Sequence, residues 1–169
     1  IWGDHERYKN VYFSAYPGYY FPGDGALRDG EGNFRITGRV DDVVIVSGHN
    51  LGTAPIENAL NEHELVVESA VVGFPHDVKG NALHAFVIAN TEITDKSKMT
   101  EELRALVAQT IGPIAKPDRI QVVSGLPKTR SGKIMRRILR KLAAGEHDSL
   151  GDISTLLNPE VVEEIKKNS

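Results

Sequence analysis

The sequence predicts an α+β domain, a small sheet flanked by helices, preceded by a shorter aromatic-rich segment of different character. From residue 42 the patterns run strand, helix, strand, strand, helix, strand, helix, an order that suits one compact α+β unit. The helix-like segments repeat apolar residues at i, i+3 and i+4, while the strand-like runs are short and bounded by Gly, Pro and Asp. Residues 1–20 instead hold Trp2, Tyr8, Tyr12, Phe13, Tyr16, Tyr19 and Tyr20, and read as a helix and extended segment belonging to a different body.

In chain order, Ala26-Leu27-Arg28 and Asn33-Phe34-Arg35-Ile36-Thr37 flank the turn Asp29-Gly30-Glu31-Gly32 and predict a β-hairpin. Val43-Val44-Ile45-Val46 is a continuous apolar run and predicts a buried strand. Asp41-Asp42 directly before it reads either as a polar turn or as a boundary between packed units. After Ser47-Gly48-His49-Asn50 a helix is expected to open with Thr53 as its N-cap, Pro55 in its first turn, and Ile56, Ala59 and Leu60 facing inward. Residues 69–74 and 84–89 predict two strands joined by the polar connector 75–80. Thr100–Ile111 predicts a helix capped by Thr100, with an apolar stripe of Leu103, Leu106 and Val107, stopped by Gly112-Pro113. Residues 120–123 give a further strand, Lys133 to about Ala144 a helix, and Asn158-Pro159-Glu160 the start of a last helix facing inward through Val161, Val162 and Ile165.

Composition narrows the function. At 40% hydrophobic and 25% charged residues the chain is ordinary for a globular protein, and its net charge of −3 argues against a nucleic-acid binder as a whole. The absence of cysteine excludes disulfides and thiolate metal sites and fits a cytoplasmic setting. No apolar run approaches the roughly 20 residues that span a bilayer, so no membrane partner is expected. The start Ile1-Trp2-Gly3-Asp4 is neither an initiator Met nor a signal peptide, and the chain is expected to be cut from something longer.

The stretch Leu126–Arg137, LPKTRSGKIMRR, carries the chemistry. A Walker A loop is excluded because Pro127 and Ile134 stand where that motif needs Gly and Ser or Thr. Two readings remain beside a plain solvated basic face. Lys128, Arg130, Lys133, Arg136, Arg137, Arg140 and Lys141, with no acid among them, form a nucleic-acid patch in one. In the other, Lys133, where a loop meets a helix start, stabilises charge on a reacting carboxylate or phosphoryl group.

Five blocks in order, Tyr20-Phe21-Pro22-Gly23-Asp24-Gly25, Ile36-Thr37-Gly38-Arg39-Val40-Asp41-Asp42, Ser47-Gly48-His49, Ile111-Gly112-Pro113-Ile114-Ala115 and Leu126–Arg137, resemble the acyl-adenylate-forming enzymes, and among them the acetyl-CoA synthetases. The resemblance runs from about Tyr19 to Pro159. It implies a ligase that joins acetate to ATP as acetyl-AMP, releasing pyrophosphate, and then passes the acetyl group to CoA. It implies further that residues 1–40 are the end of a large N-terminal domain, absent here, and 41–169 a mobile C-terminal domain rotating about Asp41. Without the large domain the chain is expected to be inactive.

The resemblance also assigns residues. Asp24, Arg39 and Asn50 stand at nucleotide-binding positions, with Asp24 suited to accept from both ribose hydroxyls. Lys133 is the catalytic lysine and the site of inactivating acetylation by an acetyltransferase, reversed by a deacetylase. Ser47, Gly48 and His49 stand at the CoA path, and Asn61, His63 and Val66 match a magnesium site, although a lone His63 is more often a surface histidine. Pro22, Asn50, Pro55 and Ala108 depart from the pattern. Asn50 lacks the charge of the Arg usual there, and Ala108 replaces an Arg that in some relatives meets the CoA 3′-phosphate. The acid pocket lies upstream, so propionate or another short acid stays open as the substrate.

Overall fold

The computed structural model describes residues 1–167, which form two compact units, Ile1–Asp41 and Asp42 onward. The first unit opens with helix α1, His5–Tyr12, whose N-cap Asp4 accepts from the Arg7 amide at 3.0 Å. Tyr12 stacks on Tyr20 at 5.0 Å and Tyr8 meets Phe13 edge-on at 5.4 Å, so the aromatic residues of this segment pack largely on one another. Strands β1, Asp24–Arg28, and β2, Phe34–Arg39, form the expected antiparallel hairpin. Asp29 closes it by accepting from the Glu31 and Asn33 amides, each at 2.9 Å. These bonds hold the Asp29 carboxyl below its ordinary value, the Asn33 side chain contributing most.

The second unit is built on a three-stranded sheet in the order β5–β6–β7, with β5 (Val66–His76) antiparallel and β7 (Arg119–Val122) parallel to the central β6 (Gly80–Ala89). Successive strand side chains alternate between faces. Ala70, Val72, Phe74, Ala82 and Phe86 point to one face, where α4 (Arg136–Ala143) and α5 (Glu160–Lys167) add Ile138, Leu139, Leu142, Val162 and Ile165. Val71, Leu83, Ala85 and Val87 point to the other, against Ile56 and Leu60 of α2 (Thr53–Asn61) and Leu103 and Val107 of α3 (Lys96–Thr110). With both faces covered, runs such as Ala70-Val71-Val72 read as continuous rather than alternating. The α+β class is the one expected, and no helix of the described residues is long and apolar enough to cross a membrane.

Several elements differ from expectation. Val43–Val46 (β3) is not a buried strand. It pairs with the unexpected β4, His49–Gly52, and only Val46 is buried, while Val43 and Ile45 face out at 42% and 54% exposure. Thr53 does not cap α2. Gly52 takes that place without a side-chain bond, and Thr53 is buried as the first helical residue. The third helix starts at Lys96 rather than Thr100, because Asp95 accepts from the Lys98 amide at 2.9 Å and supplies the cap earlier. The strands about the 75–80 connector are longer than expected, since Pro75 and His76 continue β5.

Packing between the two sheets makes Gly73 a close approach. A methyl group there would stand 2.7 Å from Val44 Cγ1 and 3.0 Å from Cγ2, so Gly73→Ala is expected to lower unfolding stability by about 1–3 kcal/mol in a urea titration.

The core also contains a titrating group. His84 on β6 is buried, stacked on Phe86 at 4.1 Å, and its Nδ1 has no hydrogen-bond partner. Burial, helped by the Arg119 charge, pushes its pKa down from 6.5 to about 4. The unfolded chain therefore takes up this proton before the folded one does. The stability contribution is complete above about pH 6.5 and falls by up to about 3 kcal/mol as pH drops towards 4. Replacing His84 by Phe is expected to flatten that limb of a stability-against-pH profile measured by urea unfolding.

Candidate functional site

In the first unit the structure brings Asp24, Arg39 and Asp41 together. The β1–β2 register sets Asp24 opposite Arg39. Arg39 Nη1 donates to the Pro22 carbonyl at 2.9 Å and to Asp24 Oδ1 at 3.3 Å, and Nε donates to Asp41 Oδ1 at 3.0 Å. Gly23, at φ +80°, makes room for this fork, since a Cβ there would lie 2.9 Å from Arg39 Nη2. The Asp41 bond is the largest influence on Arg39 and, with both carboxylates near, raises its pKa further. Arg39, Val40 and Asp41 line a cavity of about 360 Å³ with Val11, Tyr12, Phe21, Pro22 and Gly23. Asp24 and Arg39 are both half open to solvent, a geometry suited to holding a polyhydroxylated ligand between an acceptor and a donor.

In the second unit Ser47 and Gly48 form the two-residue loop of the β3–β4 hairpin, both with positive φ, +48° and +82°. That is the backbone pattern of tight hairpin turns, and Ser47 is the one non-glycine with positive φ among the described residues. The Ser47 amide donates to the Lys79 carbonyl at 3.0 Å and Asn81 Nδ2 to the Ile45 carbonyl at 3.0 Å, tying the turn to the β5–β6 end. Nothing lies within 4 Å of a Cβ built on Gly48, and Ser47, Gly48, His49 and Asn50 are all exposed. Asn50 belongs to this hairpin, opposite Ile45.

Lys133 does not begin a helix. The chain from Lys128 to Ile134 folds back on itself, the two residues bridging as in a hairpin, and α4 starts only at Arg136. Within the loop the Thr129 amide donates to the Lys133 carbonyl at 2.8 Å, the Gly132 amide to Thr129 at 2.9 Å, and the Lys133 amide to Thr129 Oγ1 at 3.2 Å. Gly132, at φ +81°, turns the corner. The base is anchored by Lys128, whose ammonium meets Glu68 at 2.6 Å and whose amide donates to Asn158 Oδ1 at 3.1 Å. Lys133 is exposed at the tip.

The basic stretch is therefore not a free face. Besides Lys128, Arg136 binds Glu57 and Asp42, Arg140 lies 3.5 Å from Asp42, Arg137 donates to the Leu150 carbonyl at 2.6 Å, and Lys141 donates to the Ser149 carbonyl. Among the described residues only Arg130 and Lys133 of the seven lack a side-chain partner.

At the magnesium positions the side chains of Asn61 and His63 are engaged within the protein. Asn61 Oδ1 accepts from Ser69 Oγ at 2.8 Å, His63 Nδ1 accepts from the Leu65 amide at 3.3 Å, and its Nε2 faces Glu102 at 3.7 Å. Val66 is buried and offers only its carbonyl, and no group of three or more His, Asp or Glu among the described residues is placed to hold a metal.

The sequence reading missed Glu57. It shares the buried face of α2 with Ile56 and Leu60, and an acid on an apolar stripe is itself the signal of a buried partner.

Residues 55–133 match the AMP-binding enzyme C-terminal domain. The acetyl-coenzyme A synthetase of Halorhodospira halophila is 62% identical over 165 residues, covering 96% of this chain and 25% of that protein. That of Syntrophobacter fumaroxidans is 60% identical over 168 residues, covering 99% of this chain and 26% of that protein. The chain thus spans about a quarter of the length of the curated relatives it matches. Among solved structures, the amide bond synthetase McbA of Marinactinospora thermotolerans superposes with a TM-score of 0.69 at 32% identity, covering 80% of this chain and 27% of that one. Matched blocks, sheet and lysine loop converge on one conclusion: the chain belongs to the AMP-binding, acyl-adenylate-forming enzymes and carries their C-terminal domain.

Proposed function

We propose that this chain works within an AMP-forming acetate–CoA ligase, residues 1–40 completing a large substrate-binding domain and 41–169 forming the mobile domain that swivels at Asp41. One observation carries the reading. Lys133 stands exposed and unpaired on a closed, anchored turn while its cationic neighbours other than Arg130 are engaged. In the first step an acetate oxygen attacks the α-phosphorus of ATP, and the bond to the pyrophosphate oxygen breaks. Negative charge gathers between carboxylate and phosphate, and the Lys133 ammonium neutralises it as a compact point charge. Asp24 and Arg39 hold the ribose, with Asn50 as a neutral contact to the phosphates in the other orientation of the domain. In the second step the CoA thiol attacks the acyl carbon, loses its proton to solvent and releases AMP. The Ser47-Gly48-His49 turn, open above Gly48, lines the path of the thiol arm.

Magnesium enters as the counter-ion of ATP. The exposure of Lys133 leaves it open to an acetyltransferase and a deacetylase in the cytoplasm, and acetylation removes the charge the first step needs. The reading is tested on the full-length protein by acetate-dependent ATP–pyrophosphate exchange, wild type beside Lys133→Ala, with thioester formation from supplied acetyl-AMP as the second readout. Exchange lost with thioester formation kept supports it. Exchange unaffected overturns it.

A further inference from the structure

The strongest cluster of charged side chains outside the proposed reacting groups lies behind the lysine loop. Arg136, the first residue of α4, sends its guanidinium to two carboxylates. Nη2 meets Glu57 Oε2 at 2.8 Å, Nη1 bonds the other Glu57 oxygen and the Val71 carbonyl, and Nε lies 3.4 Å from Asp42 Oδ2. Glu57 is itself fixed by the Val71 amide at 2.7 Å, and Asp42 is shared with Arg140 at 3.5 Å. All three clamp residues are largely buried, their side chains 23%, 10% and 15% exposed for Arg136, Glu57 and Asp42. Burial opposes the Arg136 charge, but the bonds to Glu57 and the nearness of Asp42 outweigh it.

The position of this clamp gives it meaning. Asp42 is the first residue of the second unit, and its neighbour Asp41 is bonded instead to Arg39 of the first. Arg136 follows the lysine loop directly, its helix tied back by the Met135 amide to the Pro127 carbonyl at 2.7 Å. One guanidinium therefore joins the start of the second unit to the foot of the turn that carries Lys133.

We propose that Arg136 is a positioning residue for Lys133, with Asp42 and Glu57 as its two fixed points. A swivel at Asp41 then delivers the lysine as the tip of a rigid lever rather than of a loose loop. A loop misplaced by an ångström forfeits much of what a positioned charge contributes. The proposal rests on the function proposed above, and it assigns Arg136 no contact with substrate.

The test uses the full-length protein and four forms: wild type, Lys133→Ala, Arg136→Gln and the double variant. Arg136→Gln is expected to lower kcat for ATP–pyrophosphate exchange about 10- to 100-fold with the KM for ATP little changed, as loss of an interaction felt in the transition state requires. Thioester formation from supplied acetyl-AMP is expected to stay within about threefold of wild type. In the Lys133→Ala background the same substitution is expected to cost nothing more in exchange, because residues acting as one unit are not additive. A further loss on that background, an equal loss in both half-reactions, or unchanged exchange overturns the proposal. Should Arg136→Gln fail to fold, Asp42→Asn takes its place, leaving the Glu57 pair intact. A loss of about threefold or more confined to exchange then supports the lever, and an unchanged rate overturns it. If Lys133→Ala itself leaves exchange intact, the proposed function fails; if Lys133→Ala abolishes exchange and Arg136→Gln does not lower it, only this inference fails.

Discussion

Lys133→Ala is expected to lower acetate-dependent ATP–pyrophosphate exchange in the full-length protein by about 10²–10³-fold, equivalent to about 2.7–4 kcal/mol of transition-state stabilisation. The size follows from geometry rather than from the residue type alone. The backbone of the loop is closed by bonds from Thr129 and Gly132, so only the lysine side chain is left to order. No neighbour replaces it, since Lys128, Arg136, Arg137, Arg140 and Lys141 are bonded elsewhere and Arg130 lies on the other side of the Ser131-Gly132 corner. Lys133→Gln, neutral and of similar length, is expected to match the Ala variant and to mimic acetylation. Lys133→Arg is expected to retain only part of the activity, because a planar fork does not place its charge where an ammonium does. Thioester formation from acetyl-AMP should be close to wild type in all three, measured as CoA thiol consumed.

Glu57→Ala is expected to lower the stability of the second unit by about 3–5 kcal/mol in urea unfolding followed by circular dichroism. The carboxylate is buried and answers both the Arg136 guanidinium and the Val71 amide of β5. Removing it strands a buried cation and an unpaired N–H together, which is why the expected loss exceeds that of an ordinary hydrogen bond. Replacing Glu57 by Leu and Arg136 by Met together should recover a large part of the loss, since a buried pair can give way to apolar packing at little net cost. A loss below about 1 kcal/mol for Glu57→Ala would show that Asp42 alone satisfies Arg136.

Much of the second unit was legible in the sequence. Val161, Val162 and Ile165 after Asn158-Pro159 announce α5, and Leu103 and Val107 announce α3, because one turn of spacing is enough to show a buried stripe. Residues 43–46 misled for the same local reason. Four apolar residues in a row look buried, yet the turn at Ser47-Gly48 sends the chain straight back as β4 and leaves Val43 and Ile45 outside. The helix expected at Thr53 does begin there, with Gly52 rather than Thr53 in the cap position, whereas the start expected at Thr100 lies at Lys96 because Asp95 reaches the orphan Lys98 amide earlier, and several polar residues near a start look alike in sequence.

The sequence by itself determined the class of the fold and, apart from β4, the order of its elements. Its resemblance to the acyl-adenylate-forming enzymes singled out the lysine block and Asp24 with Arg39, which the hairpin sets opposite one another. Each of these rests on residues close in the chain or on a register that a turn enforces. Only the tertiary structure decided which cations of the basic stretch are free. Lys128 finds Glu68 60 positions away and Arg136 finds Glu57 79 positions away, across the sheet and α2 rather than along any helix face. Charge pairs at that separation leave no periodic trace, so the two residues look the same as Lys133 until the chain is folded. Folding satisfies the charges that become buried and leaves exposed the one that the proposed chemistry uses.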